Sequence, residues 1–134
     1  MKPLKILLVD DDEIQRIKFK KVCKIINYDI TIFEATNGEN ALTFLDDNIS
    51  FDLIVSDLHM PKMNGLEFIM KIKKNPKYNN IPLVLMSTSK DKSDLKRCYD
   101  FGISGVFSKP SKFSEYSKKV VSLLEYWSST EVIC

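Results

Sequence analysis

Phe51-Asp52-Leu53-Ile54-Val55-Ser56-Asp57-Leu58-His59-Met60-Pro61-Lys62-Met63-Asn64-Gly65 is the stretch that decides the architecture. Leu53 to Ser56 are apolar or small without a helical period, which predicts a short strand buried on both faces. Asp57 closes that run, and turn chemistry follows at once in Met60-Pro61 and Asn64-Gly65. Alone, such an aspartate would be read as a turn cap. At the carboxyl end of a central parallel strand it stands where open α/β sheets hold their ligands, so Asp57 becomes a candidate site residue.

The same alternation continues on both sides. Leu4 to Val9 reads as a strand that runs into Asp10-Asp11-Asp12-Glu13, with Asp12 and Glu13 suited to the first turn of the helix that follows. That helix is expected to gather Ile14, Ile17, Val22, Ile25 and Ile26 on one broad side. Asp29 to Glu34 is a second strand, and Thr36 or Asn37 can cap the helix carrying Ala41, Leu42 and Leu45. Beyond the central strand, Asp52 to Ser56, a third helix is predicted from about Gly65 to Lys74, stopped by Asn75-Pro76. Pro82 to Ser87 is a fourth strand, Asp91 to Phe101 a more polar helix ended by Gly102, and Gly105 to Ser108 a short strand leading to Lys109-Pro110. Ser111 is a candidate cap for the last helix, where Phe113, Tyr116, Val120, Leu123, Leu124 and Trp127 recur at helical spacing. The tail, 128–134, is expected to fray. Strands and helices alternating at these lengths predict one α/β domain over 1–134, a doubly wound five-stranded parallel sheet with five helices.

Composition sets limits on function. A chain of 134 residues can bury roughly two-thirds of its unfolded surface in a single core. With 44% hydrophobic and 28% charged residues it falls in the soluble globular class. A net charge of +2, with lysines spread along the helices, lends nothing to nucleic-acid binding. Cys23, Cys98 and Cys134 are odd in number and widely spaced, as expected of free thiols in a reducing, cytoplasmic setting. Leu4 to Val9 is too short for a signal peptide or membrane span.

In a parallel sheet all strand carboxyl ends share one edge, and reading them off gives Asp10, Asp11, Asp57, Ser87 and Lys109. Clustered carboxylates repel one another, and a hard divalent cation such as Mg²⁺ relieves that repulsion through oxygen ligands. An acidic pocket beside an ammonium and a hydroxyl suits phosphoryl transfer, which depends on positioning and charge neutralisation. Asp57 is the candidate nucleophile, since carboxylates form acyl phosphates, with Asp10 and Asp11 as metal ligands or orienters.

These residues resemble a known family. Leu7-Leu8-Val9-Asp10-Asp11-Asp12, the segment Asp57 to Gly65, Ser87-Thr88 and Lys109-Pro110 are similar, in order and spacing, to the receiver domain of two-component response regulators, and to the stand-alone chemotaxis-regulator type. The resemblance implies the flavodoxin-like receiver fold. It also implies that Asp57 accepts a phosphoryl group from a histidine kinase or phosphotransfer protein. Asp11 would bind Mg²⁺ directly, Asp10 through water, and the His59 carbonyl would complete the protein ligands alongside Asp57. Lys109 would pair with the phosphoryl oxygens, Ser87 would hydrogen-bond one of them, and Thr88 would be the small residue beside the group. A cis Lys109-Pro110 bond is expected on the same ground. Partners implied are the kinase, a downstream protein and at most a weak homodimer, with no nucleic acid and no membrane. The chain would then be no enzyme beyond its own phosphorylation and dephosphorylation.

Two departures stand out. Serine occupies position 87 where threonine is commoner. Val106 stands where the family often has Tyr or Phe, and strand alternation should send Phe107 to the opposite face. A phosphorelay intermediate, handing the phosphoryl group to a histidine phosphotransfer domain, is the alternative that Val106 favours. An aspartyl-phosphate phosphatase would want an acid at His59. A docking-only module fits poorly with five competent site residues, and a flavodoxin-like cofactor binder would need a glycine-rich loop after the first strand.

Overall fold

The computed structural model describes residues 2–47, 49–88 and 92–130. Among the described residues, ten elements alternate: β1 (Leu4–Val9), α1 (Glu13–Ile25), β2 (Ile30–Ala35), α2 (Gly38–Asp46), β3 (Leu53–Ser56), α3 (Gly65–Lys74), β4 (Leu83–Ser87), α4 (Lys92–Asp100), β5 (Gly105–Ser108) and α5 (Phe113–Ser128). The expected helix start at Asp91 and the end of the tail, with Cys134, lie outside the described residues. All four strand pairings are parallel, in the order β2-β1-β3-β4-β5. The chain therefore winds outward in both directions from β1 and β3, and the order reverses between those two strands.

Because strand side chains alternate, each strand feeds two cores. Leu4, Ile6 and Leu8 of β1, Leu53 and Val55 of β3, and Val84 and Met86 of β4 pack with Phe19, Val22 and Cys23 of α1 and with Tyr116, Val120, Leu123 and Leu124 of α5. Leu7, Val9, Ile54, Leu83 and Leu85 point the other way, against Ala41 and Leu45 of α2, Phe68, Ile69 and Ile72 of α3 and Cys98 of α4. Val106 joins this second core and Phe107 the first, so the two residues take opposite faces of the sheet as their alternation requires. Burial pushes the Cys23 thiol up to about 12, leaving it a protonated packing group.

Local signals account for most helix ends. The Asp12 carboxylate caps α1 by accepting the Ile14 N–H at 2.9 Å, Asn37 caps α2 through the Asn40 N–H at 2.8 Å, and Asn64 caps α3 through the Glu67 N–H at 3.0 Å. Gly102 follows α4 with φ +91°, the left-handed conformation that glycine supplies at a helix end. Ser111 does not cap α5. The N-cap is Lys112, with no side-chain hydrogen bond, and Ser111 stands one residue too early to reach the free N–H groups of the first turn. Ser128 closes α5, and its carbonyl accepts the Lys2 N–H at 3.0 Å. No helix among the described residues is long and apolar enough to cross a membrane.

The expected face of α1 is corrected. Ile14, Ile17 and Ile25 are 67%, 50% and 62% exposed, whereas Phe19, Val22 and Cys23 are buried. Five residues on a helix span about 140° beyond a full turn, so Ile17 and Val22 cannot share a side. Phe19, with Val22 and Cys23 three and four residues on, sets the inward stripe. Phe19→Ala should therefore cost about 3–5 kcal/mol, and Ile17→Ser less than about 0.5 kcal/mol. Urea unfolding midpoints of the two variants would check both values.

Candidate functional site

Register brings the chemistry to one edge. Val9 pairs with Ser56 across β1 and β3, and Ser87 pairs with Ser108 across β4 and β5. The residues next along the chain, Asp10, Asp57, Thr88 and Lys109, thus leave the sheet together. Backbone bonds carry the alignment past the strands: the Asp57 N–H donates to the Val9 carbonyl at 2.9 Å, the Asp10 N–H to Ala35 at 3.0 Å, and the Lys109 N–H to Ser87 at 2.9 Å.

Asp10, Asp11 and Asp57 each place a carboxylate oxygen so that all three lie within 4.8 Å of one another. Asp10 is buried, Asp57 half-buried and Asp11 exposed. The Lys109 ammonium lies 2.9 Å from Asp10 Oδ2 and 3.6 Å from Asp57 Oδ2. Asp10 Oδ1 accepts the Asp12 N–H at 3.0 Å, and Asp57 Oδ1 accepts the Leu58 N–H at 2.7 Å. The two Asp57 oxygens are therefore inequivalent: one is tied to the backbone, the other is turned to the ammonium. Burial raises the Asp57 pKa, and the charge of Asp10 adds to it; Lys109 and the N–H groups of Leu58 and His59 pull the other way. Three oxygen-donor carboxylates that repel one another, only one of them fully buried, suit a hard divalent cation.

The loop that carries Asp57 into α3 is anchored from below. Leu58, Met60 and Met63 are buried in the core, which leaves His59, Pro61, Lys62 and Asn64 outside. Lys62 takes φ +65°, turning the chain back toward α3. At Gly65 the backbone comes so close that an added Cβ would stand 2.6 Å from Leu58 Cα and 2.7 Å from the Asp57 carbonyl oxygen. Only glycine fits there, and its N–H donates to the Leu58 carbonyl at 2.7 Å.

Asp11, Asp57, Thr88, Lys109 and Pro110 line a cavity of about 470 Å³ at this edge, together with Asp12, Gln15, Lys18 and Ser111. Ser87 is 1% exposed at the end of β4 and is not among the residues that line this cavity, whereas its neighbour Thr88 is. His59 is exposed on the loop. The Lys109-Pro110 bond is trans, contrary to expectation: no peptide bond among the described residues is cis. The trans isomer is the intrinsically preferred one for an X–Pro bond, and the Lys109 ammonium reaches both carboxylates without the cis form.

Sequence reasoning passed over Arg16, Glu34, Gln15 and Lys18. Arg16 Nη1 donates to the Asp10 carbonyl at 2.8 Å, and its Nε donates to Glu34 at 3.1 Å. Lys20 takes the other Glu34 oxygen at 3.0 Å, and Lys20 foremost, with Arg16, holds the Glu34 pKa below the usual carboxylate range. The only signal available beforehand was a cation on the first turns of α1, just after the acidic run.

A parallel 2-1-3-4-5 sheet with an acid-and-lysine pocket at its carboxyl edge defines a flavodoxin-like, doubly wound α/β domain with a candidate cation site. The chain belongs to the response regulator receiver domain family, whose family model matches residues 6–121. It is 34% identical to the two-component response regulator ORR8 of Oryza sativa subsp. indica over 80% of this chain and 87% of that protein. It is 28% identical to the chemotaxis protein CheY1 of Helicobacter pylori over 80% of this chain and 86% of that protein. The phosphorylated cyanobacterial phytochrome response regulator RcpA superposes with TM-score 0.90 at 28% identity, covering 97% of each chain. The Mn(2+)-bound response regulator Rcp1 superposes with TM-score 0.89 at 27% identity, covering 98% of this chain and 99% of that one.

A raised carboxyl pKa means the folded protein binds the proton more tightly than the unfolded chain does. Stability from this residue is then greatest at low pH and falls as pH rises through the interval between the unfolded and folded values. Asp57→Asn should accordingly raise the melting temperature at pH 7 in EDTA, and the gain should shrink as pH falls below the carboxylate range. Thermal melts of both proteins at a series of pH values check the sign.

Proposed function

We propose that this receiver domain accepts a phosphoryl group on Asp57 from a histidine kinase or phosphotransfer protein, and signals through protein contacts that depend on that modification. The observation that carries the reading is the convergence of Asp10, Asp11 and Asp57 beside Lys109, with one Asp57 oxygen turned to the ammonium. Family membership adds to it.

The chemistry follows from the charges. An Asp57 oxygen attacks phosphorus and the O–P bond forms as the N–P bond of the donor phosphohistidine breaks; the N–P electron pair returns to the ring, which leaves as neutral imidazole because its other nitrogen already carries a proton. Lys109 meets the negative charge that arrives on the phosphoryl oxygens. Ser87 stands at the strand end to hydrogen-bond one of them, and Thr88 is the small wall that leaves room. Magnesium, held by the carboxylates of Asp10, Asp11 and Asp57 and the carbonyl of His59, would neutralise phosphoryl charge. Transfer to and from this aspartate is the only chemistry the proposal assigns, in a cytoplasmic protein. Attraction between the new phosphoryl group and the side chains from β4 and β5 shifts the population of loop and helix arrangements.

A second reading, a phosphorelay intermediate, is favoured by Val106 and Phe107 packing on opposite faces, which puts valine rather than an aromatic ring of β5 on the face toward α4. Transfer from the phosphorylated protein to a histidine phosphotransfer domain would separate the two readings.

Incubation with acetyl phosphate and Mg²⁺ should add one phosphoryl mass to the intact protein. The addition should be lost in EDTA and in Asp57→Asn. The same addition on the Asp57→Asn variant would overturn the assignment.

A further inference from the structure

The acidic turn that follows β1 carries two of the three clustered carboxylates, and like charges held this close tend to spread the turn apart. Its N–H side is pinned to β2 through Ala35. Lys109 holds the Asp10 carboxylate, and the Asp10 main-chain carbonyl is taken by Arg16. Arg16 Nη1 donates to the Asp10 main-chain carbonyl at 2.8 Å, and the guanidinium is itself fixed by its Nε on Glu34 Oε1 at 3.1 Å. Glu34 cannot rotate freely, because Lys20 holds its second oxygen at 3.0 Å. The Arg16 side chain is only 12% exposed, so water competes little for these bonds.

The guanidinium takes a backbone carbonyl and so does not itself compete for the carboxylate oxygens of Asp10 and Asp11, of which Asp10 Oδ2 faces Lys109 and Oδ1 the Asp12 N–H. We infer that Arg16, braced by Glu34, is a positioning residue that holds the acidic turn so that Asp10 and Asp11 converge with Asp57 on one divalent cation. The inference rests on the cation site in the proposed function. Geometry and charge make opposite demands here. A nearby positive charge, taken alone, repels a cation, so removing it should tighten binding. Loss of positioning should weaken binding, as outer partners of metal ligands do by about 10–100-fold. Lysine keeps the charge but is a single point donor, and cannot bridge Asp10 and Glu34 as a planar fork does.

The test titrates Mg²⁺ by calorimetry into the wild type, Arg16→Lys, Arg16→Gln and Glu34→Gln, with the urea midpoint of each measured in parallel. Glu34→Gln leaves one oxygen for Arg16 Nε and Lys20 to share, so the brace is loosened but not removed, and Kd should weaken by less than in the Arg16 variants; a larger weakening than in Arg16→Gln would overturn the order of roles. Arg16→Lys and Arg16→Gln should both weaken Kd by about ten-fold. Tighter binding by Arg16→Gln, or an unchanged Kd with only a lowered urea midpoint, would overturn the inference, since a purely structural role moves stability alone. If Arg16→Gln does not fold, Arg16→Lys decides. Amide exchange in EDTA gives a readout without metal: the Asp12 N–H, which donates to Asp10 Oδ1, should exchange faster in Arg16→Lys. A wild type that binds no Mg²⁺ sinks the cation site itself. The exchange rate then decides whether Arg16 holds the turn, and an unchanged rate overturns that too.

Discussion

The ammonium of Lys109 sits between two carboxylates that would otherwise repel each other, 2.9 Å from Asp10 and 3.6 Å from Asp57. Those carboxylates come from β1 and β3, neighbouring strands in space that are separated along the chain by α1, β2 and α2. The lysine arrives from β5, at the far edge of the sheet. A single cation thus ties three distant parts of the sequence to one point, and the order of the sheet is what makes this geometrically cheap. Where the strand order reverses, the helices diverge to opposite faces and leave a crevice at the carboxyl edge. The acids occupy that crevice, and burial makes the Asp57 charge uncomfortable enough to raise its pKa. A group held in that condition gains from any partner that brings positive charge or takes up one of its lone pairs.

The scaffold around this point is stiff where the site needs it. Buried Leu58, Met60 and Met63 hold the loop after Asp57, and Gly65 permits backbone contact that no other residue allows. On the other side of the crevice the β1–α1 turn has no apolar anchor of its own. It is held by polar bonds that Asp10 makes with Ala35, Asp12, Arg16 and Lys109. One acid is therefore set by packing and the other two by hydrogen bonds, which is why a charged residue away from the pocket becomes relevant to the pocket's geometry.

Much of this was legible in the residues alone, for identifiable reasons. Leu53 to Ser56 and Leu83 to Ser87 are continuous apolar runs ended by polar residues, and such runs announce buried parallel strands together with their carboxyl ends. Once parallel pairing is granted, Asp10, Asp57 and Lys109 must share an edge. Other features were hidden because local pattern does not encode them. The face of α1 was misassigned because isoleucines lie all around that helix, and only Phe19, with Val22 and Cys23, shows which stripe meets the sheet. The cap of α5 escaped because Ser111 has the right chemistry one position too early. Arg16 and Glu34 escaped because their pairing depends on β2 lying beside β1, a tertiary fact with no periodic trace.

Paramagnetic broadening tests the central claim, convergence of three acids on one cation, most directly. Substoichiometric Mn²⁺ added to the isotope-labelled protein should erase the amide resonances of Asp11, Asp57 and Lys109, while Lys24, Ser104 and Glu125, away from this edge, keep theirs. Broadening centred on another set of acids, or none at all, would contradict the account.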